Sequence, residues 1–168
     1  DDVLQAMESA GCVDVAVGIE SGVQRLLDGV RKGIDLRQVS ETVRRIKRTT
    51  GIGVTGLFIL GLPGETPEET LQTIRFACEL PLDQAQFSIL SPYPGSALFD
   101  ELRARGELDT GERPDGTLDP SVWKRYSAYP LFTDHEPIWV TSTQTGAGLK
   151  RLQRRALRTY YLRPAAFW

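Results

Sequence analysis

The first 105 residues alternate between strand-like and helix-like patterns of apolar and polar positions. Bulky β-branched residues alternate with small or polar ones over 13–19, which is the period-two pattern of a strand. Residues 54–60 form a nearly continuous apolar run, which predicts a strand that is buried on both faces of a parallel sheet. Residues 86–90 predict a third strand.

Helix signals lie between these runs. Asp35 stands where a helix cap is expected, and Gln38 three positions later completes a capping-box pattern. Thr66 begins the next helix, with Pro67 at its first position and Glu69 three residues on, a combination typical of helix starts. Both helices have apolar stripes at helical spacing, namely Leu36, Val39, Val43 and Ile46 in one and Leu71, Ile74, Ala77 and Cys78 in the other.

Strands joined by helices of ten or more residues predict an α/β fold. Such connections are crossovers, so we expect a parallel sheet with right-handed units. A helix over about 96–105 closes the third unit. Residues 106–119 are rich in Gly, Asp, Glu and Thr and are interpreted as a loop or lid. An aromatic-rich tail and a last helix over about 146–161 follow.

Composition limits the class of protein. The chain has 168 residues, of which 40% are hydrophobic, and this length predicts one domain. No apolar run reaches the length of a membrane-spanning helix, and no secretory signal is recognisable, so we interpret the protein as cytoplasmic. The sequence starts with Asp1 in a helical pattern, which leads us to expect a fragment of a longer protein.

Charge is unevenly distributed along the chain. The net charge of -2 gives no general attraction to nucleic acid, so nucleic acid is not the partner that composition favours. No acidic residue follows Glu136, and we interpret the basic residues beyond it as the solvated face of a terminal helix. The alternative is a surface for single-stranded nucleic acid, because Tyr160, Tyr161 and Trp168 lie among these cations.

The cysteines and the single histidine do not predict a metal or catalytic centre. Cys12 and Cys78 are too far apart in sequence for a ligand pair, and both lie among apolar residues, so we interpret them as buried, reduced thiols. His135 is interpreted as a surface residue. No serine or cysteine nucleophile with an orienting partner is recognisable, so no catalytic residue is assigned.

The candidate chemistry lies where the predicted strands end, because loops at the carboxyl ends of parallel strands converge. Glu20 shares a strand face with small residues and is either an acceptor for a ligand hydroxyl or a cap of the following helix. Gly61 and Gly64 either let a ligand approach the backbone or serve the turn alone. Gln86 and Ser88 are expected to share a face with Glu20.

Four segments, taken in order and spacing, resemble the second half of the core domain of the radical S-adenosylmethionine (SAM) superfamily. They are Val17-Gly18-Ile19-Glu20-Ser21-Gly22, Arg31-Lys32-Gly33, Phe58-Ile59-Leu60-Gly61-Leu62-Pro63-Gly64-Glu65-Thr66 and Ser91-Pro92-Tyr93-Pro94-Gly95-Ser96. The segment 156–164 is similar to the end of superfamily members that carry an N-terminal cobalamin-binding domain.

This resemblance implies a fold and an activity. Residues 1–105 would be the C-terminal half, about three β/α units, of a partial TIM-like barrel, and 106–168 a loop-rich and helical tail. The family uses a [4Fe–4S] cluster to cleave SAM reductively, and the resulting 5′-deoxyadenosyl radical takes hydrogen from a substrate. The implied cofactors are therefore SAM, the cluster and, for the subgroup, cobalamin. The implied partners are a small-molecule substrate and a missing N-terminal half.

The resemblance also implies a set of SAM-binding residues. Glu20, in the loop with Ser21, falls where the family contacts the ribose hydroxyls, and Lys32 falls where some members bind the SAM carboxylate. The other implied contacts are made by Ile59 and Gly61 on the adenine face and by the backbone of Ser91, Pro92 and Tyr93 at the adenine edge.

Two departures from the family pattern matter. The cluster motif C-x3-C-x2-C is absent, so the cluster ligands are expected outside this chain, which alone would be inactive. Leu57 occupies a position that is acidic in some relatives. The leading hypothesis is a fragment of a radical SAM enzyme that performs methyl transfer or cyclisation. The alternative is a non-catalytic half-barrel that binds a nucleotide-like ligand or a partner.

Overall fold

The computed structural model describes residues 1–127 and 135–163, which form an α/β fold. Trp168 and the tail aromatics Tyr129 and Phe132 lie outside these residues. The elements are α1 (Asp2–Ser9), β1 (Asp14–Glu20), α2 (Gln24–Gly29), α3 (Leu36–Thr49), β2 (Gly53–Leu60), α4 (Pro67–Glu79), β3 (Gln84–Ile89), α5 (Ala97–Ala104), a 3-10 helix (Pro120–Tyr126) and α6 (Gly146–Tyr161).

The three strands form a parallel sheet in the order β1-β2-β3, as the crossover pattern predicts. Helix starts follow the predicted caps. The Asp35 side chain accepts hydrogen bonds from the backbone N–H groups of Arg37 and Gln38, while Thr66 and Glu69 form the complete, reciprocal capping box. The predicted reciprocal bond from Gln38 is not formed, and the Gln24 side chain instead accepts from the first N–H of α3, that of Leu36, at 3.1 Å.

One face of the sheet is covered by helices. The even-numbered residues of β2, from Val54 to Leu60, are all buried, and Val15 and Val17 of β1 pack in the same cluster as Val39 and Val43 of α3. This arrangement confirms that the bulky side of β1 faces helices. The last helix also joins this core, through Leu149, Ala156 and Tyr160.

The opposite face of the sheet is more accessible, and we call it the open face. Strand register aligns Gly18 with Leu57 and Leu57 with Gln86, so the small side of β1 and the polar side of β3 lie on one surface, as expected. Its members by register are Asp14, Ala16, Gly18, Thr55, Leu57, Ile59, Gln84, Gln86 and Ser88. The Glu20 carboxylate also lies over this face, beside Gly18. The half-buried Leu57 and Ile59 contrast with their fully buried neighbours Phe58 and Leu60.

Helix α6 covers the outer edge of β3 with polar side chains. The Gln153 amide donates to the carbonyl oxygen of Phe87 at 2.7 Å, and the Tyr160 and Tyr161 hydroxyls donate to those of Leu82 and Ala85. These bonds satisfy backbone groups that a further strand would otherwise pair, and they protect the edge from association. The polar residues on the inner side of α6 therefore act as hydrogen-bond partners for the backbone at the edge of the sheet.

The predicted tail is divided between two packing units. Helix α6 begins and ends where the sequence predicted, although it lies beyond residue 105 and packs in the core of the sheet. A second cluster joins α5 to the 3-10 helix and includes Phe99, Val122 and Tyr126. The boundary at residue 105 stays a prediction.

Several smaller expectations can be compared with the structure. Cys12 and Cys78 are free thiols but only half-buried, and burial raises the pKa of Cys78. His135 is exposed, as predicted. Within the described ranges, no helix has the length and apolar character needed to cross a membrane.

Candidate functional site

The carboxyl end of β1 is shaped by a bulge. Pairing with β2 passes from Gly18–Leu57 directly to Glu20–Phe58, so Ile19 is an extra residue. Glu20 adopts a left-handed backbone conformation with φ 66°, which is uncommon outside glycine. The bulge and this conformation together direct the Glu20 carboxylate onto the open face, over Gly18.

Glu20 and Lys32 meet over the open face. Lys32 Nζ donates to Glu20 Oε1 at 2.7 Å, and the two side chains are 35% and 17% exposed, in the order Lys32 and Glu20. A Cβ placed on Gly18 would lie 2.8 Å from Glu20 Oε1 and 3.0 Å from Lys32 Nζ, so a larger residue there would displace the ends of both side chains. The N-cap residue of α2 is Val23, so Glu20 is not the capping residue of this helix.

Ser21 lies behind Glu20 and is fully buried. Its hydroxyl is 3.2 Å from the Thr73 hydroxyl of α4 and accepts from the backbone N–H of Val23. The N–H of Gly22 donates to the same Thr73 oxygen. Ser21 thus holds the β1–α2 turn against α4. Because Glu20 directly precedes it, Ser21 also fixes the position of the Glu20 backbone. Nothing in the local sequence pattern points to Thr73.

The loop after β2 is organised by Glu65, a buried carboxylate that the sequence-based site did not include. Glu65 Oε2 accepts hydrogen bonds from the backbone N–H groups of Gly61 and Leu62. Both Gly61 and Gly64 have positive φ, so they also serve the turn. Burial raises the pKa of Glu65 to about 7, against the lowering effect of the two N–H donors.

The segment that leads into α6 fixes this loop from outside. The Gly64 N–H donates to the Thr141 hydroxyl at 3.0 Å, and the Gln144 amide donates to the carbonyl oxygen of Glu65 at 3.1 Å. The Thr143 hydroxyl donates to that carbonyl as well. Leu149 of α6 packs on Gly61, so close that a Cβ there would lie 3.0 Å from it. Residues almost 80 positions apart therefore set the shape of one loop.

The carboxyl end of β3 is tied to the 3-10 helix. The hydroxyl groups of Ser91 and Tyr93 both donate to the carbonyl oxygen of Tyr126 at 2.9 Å. Pro92 between them is buried, whereas the ring of Tyr93 is about half exposed. These contacts order the backbone of the loop, and the side-chain oxygens of Ser91 and Tyr93 are already engaged.

All three loops thus lie at one end of the sheet, and the structure brings the predicted residues there. Residues 1–77 match the family model of the radical SAM superfamily. The chain belongs to the radical SAM superfamily. Its α/β fold, with a three-stranded parallel sheet, is consistent with part of the TIM-like barrel of this superfamily.

Curated relatives extend the similarity beyond the family model. An uncharacterized methyltransferase of Pyrococcus horikoshii is 35% identical over 164 residues, which are 98% of this chain and 32% of the relative. Cytidylyl-2-hydroxyethylphosphonate methyltransferase of Streptomyces wedmorensis is 34% identical over 67% of the chain and 22% of its own length. Anaerobic magnesium-protoporphyrin IX monomethyl ester cyclase of Cereibacter sphaeroides is 33% identical over 64% of the chain and 17% of its own length. The chain spans about a third or less of these relatives.

The described residues do not fit an iron–sulfur cluster. No group of three or more His, Cys, Asp or Glu side chains converges within 1–127 and 135–163, and Cys12 lies between α1 and β1 whereas Cys78 lies in α4. The SAM-binding expectation stays a prediction. A carboxylate and an ammonium group meet above a glycine, in the space that a Cβ there would enter.

Proposed function

We propose that this chain supplies part of the SAM site of a radical SAM enzyme and part of the wall that contacts its substrate. The observation that carries the proposal is the open face, where Glu20 and Lys32 meet above Gly18 at the carboxyl end of β1. A sheet with one helix-covered face and one polar, accessible face is what half of a barrel would present. The remaining strands and the cluster ligands would come from another part of the protein.

The proposed roles follow from the donor and acceptor capacity of these side chains. Lys32 is bonded to Glu20 through Oε1, and the other carboxylate oxygen, Oε2, is suited to accept the two ribose hydroxyls of SAM. Lys32 has three N–H donors, of which one is engaged by Glu20, so it can also bind the SAM carboxylate. Ile59 on the open face would pack on adenine beside Gly61, and the backbone of 91–93 would meet the adenine edge.

Ser21 and Glu65 are positioning residues in this proposal. Ser21 fixes the turn that follows Glu20, and Glu65 fixes the Gly61 backbone. When bound to a reduced cluster, SAM supplies a 5′-deoxyadenosyl radical, and this chain's own residues only bind and orient it. The cluster is not held by the described residues, so no step is assigned to it.

Methyl transfer to a small molecule is the reaction class that we propose. Two of the three relatives described above are methyltransferases by name, and the one that covers most of this chain is among them. Ring closure is the second class, because the third is named a cyclase. Cobalamin would be the methyl carrier of such an enzyme, held by a domain outside this chain. A cavity between Pro63, Leu98 and Trp139 would form part of the substrate wall.

Replacing Glu20 with alanine in the protein that contains this chain is expected to weaken SAM binding at least about a hundredfold. The loss follows from two hydrogen bonds to a charged acceptor, each of which is worth about 1.5–3 kcal/mol. Titration calorimetry with SAM and with 5′-methylthioadenosine separates the two roles, because the latter has the ribose but no carboxylate. Lys32→Met is expected to weaken the binding of SAM alone.

Glu41→Ala provides the matched control, since Glu41 is an exposed carboxylate on α3. Its affinity for both ligands is expected to equal that of the wild type. The ribose role is wrong if Glu20→Ala binds both ligands as tightly as the control does.

A further inference from the structure

The outer side of α6 carries four exposed arginines that we call the arginine face: Arg151, Arg154, Arg155 and Arg158. No acidic side chain within 1–127 and 135–163 forms an ion pair with any of them. Several arginines elsewhere are paired, for example Arg25 with Glu69 and Arg113 with Asp119, whereas Arg37 and Arg44 of α3 are in no such pair among the described residues. The arginine face therefore concentrates positive charge without local compensation.

Neighbouring cations do not belong to this surface, because the fold already uses them. Lys150 donates to the carbonyl oxygen of His135 and lies 3.6 Å from Glu136. The Arg163 guanidinium stacks on the Tyr160 ring at 3.5 Å and donates to the carbonyl oxygen of Tyr160. Only the four arginines of the face are exposed in this part of α6 without such a partner among the described residues.

The geometry suits a chain of anions. The four arginines extend over about 10 Å of helix axis, since each residue adds about 1.5 Å. They surround a shallow cavity of about 390 Å³ that they line together with Thr159. A planar guanidinium binds phosphate oxygens in a bidentate manner, and several guanidinium groups held close together gain most from a ligand with several phosphates.

An exposed aromatic ring completes the surface. Tyr161 is 41% exposed although its hydroxyl is bonded to the sheet edge, so the exposed part is the ring. Arg154, Arg158 and Tyr161 lie at positions i, i+4 and i+7 and hence on one side of the helix. A nucleic-acid base can stack on such a ring, whereas an acidic peptide backbone gains nothing from it.

We propose that the arginine face and Tyr161 bind single-stranded nucleic acid through its phosphates and one stacked base. The chain keeps a net charge of -2 despite this surface, so any attraction to nucleic acid has to come from a local concentration of positive charge such as this one. The proposal does not depend on the SAM site. It adds a nucleic-acid contact to a protein whose composition alone does not favour one.

Fluorescence anisotropy with a labelled single-stranded RNA of about twelve nucleotides tests this proposal at several salt concentrations. Four phosphate contacts predict a slope of log affinity against log salt of about -2.8, which weakens binding about 50-fold between about 50 and 200 mM salt. Arg154→Gln with Arg158→Gln is expected to halve the slope. The matched control, Arg37→Gln with Arg44→Gln on α3, is expected to leave it unchanged.

The stacking contact has its own comparison. Tyr161→Phe and Tyr161→Leu both lose the hydroxyl, but only the phenylalanine variant keeps a ring. Tyr161→Phe is therefore expected to bind the RNA at least about fivefold more tightly than Tyr161→Leu. The proposal is wrong if wild-type binding is absent or independent of salt, if the α3 control loses as much affinity, or if polyglutamate displaces the RNA at equal charge. Unchanged SAM affinity in the α6 variants keeps this result separate from the proposed function.

Discussion

Glu65→Ala is expected to lower the free energy of unfolding by about 3 kcal/mol. The substitution leaves the buried N–H groups of Gly61 and Leu62 without acceptors, and each unsatisfied donor costs about 1–3 kcal/mol. Removal of a buried carboxylate offsets part of this loss, so the expected total lies below the sum of the two. Urea unfolding followed by circular dichroism at about pH 5 measures the difference.

Glu65 also predicts a pH dependence with a definite sign. Because the folded pKa of about 7 exceeds the ordinary value of 4.5, the unfolded chain loses this proton first. The contribution of Glu65 to stability is therefore complete below pH 4.5 and is lost as pH rises through about 7. The total loss of unfolding free energy is about 3 kcal/mol, because each unit of difference between the folded and unfolded pKa of Glu65 contributes about 1.36 kcal/mol.

Glu65→Gln is the matched variant, since its amide oxygen can accept the same two N–H groups without titrating. Its stability is expected to stay nearly constant between about pH 5 and 8, whereas the wild type loses stability over this range. Equal pH dependence in the two proteins would show that another group is responsible.

Gly22→Ala is the second substitution with a large expected effect. A Cβ at this position would lie 2.6 Å from Phe76 Cβ and 2.9 Å from Thr73 Cα, both close to the backbone of α4. The turn after β1 can accept it only by moving away from α4, so we expect a loss of about 3 kcal/mol. The movement would also displace Glu20, and SAM affinity should fall with stability.

Gly29→Ala gives the comparison for this substitution. Gly29 lies at the end of α2, where a Cβ would have nothing within 4 Å, and its φ is not positive. Replacing it with alanine is expected to leave stability equal or slightly higher, because alanine favours helix by up to about 1 kcal/mol. Thermal melts of the two variants should therefore differ clearly, and similar melting temperatures would contradict the close packing at Gly22.

Local signals in the sequence were sufficient for much of the fold. The bounds of α6 and the helix cap at Thr66 depend on residues a few positions apart, and both were predicted correctly. The face shared by Gly18 and Gln86 followed from strand alternation. These features depend on short-range periodicity, which the chain displays directly.

Contacts between distant residues were not predictable in the same way. Nothing near Thr73 indicates that its hydroxyl would hold the turn at Ser21, and nothing near Gln144 indicates a bond to the Glu65 carbonyl. The Glu20–Lys32 pair depends on a bulge that strand alternation does not reveal. Such pairs are set by how the elements pack, so strand and helix patterns did not predict the geometry of the candidate site.

Reductive cleavage of SAM provides the decisive measurement. The protein that contains this chain is purified without oxygen, reconstituted with iron and sulfide, reduced with dithionite and incubated with SAM. Chromatography of the products is expected to show 5′-deoxyadenosine in the wild type and much less of it in Glu20→Ala at subsaturating SAM. Intact SAM in the presence of a reduced cluster, with no 5′-deoxyadenosine formed, would contradict the proposed function.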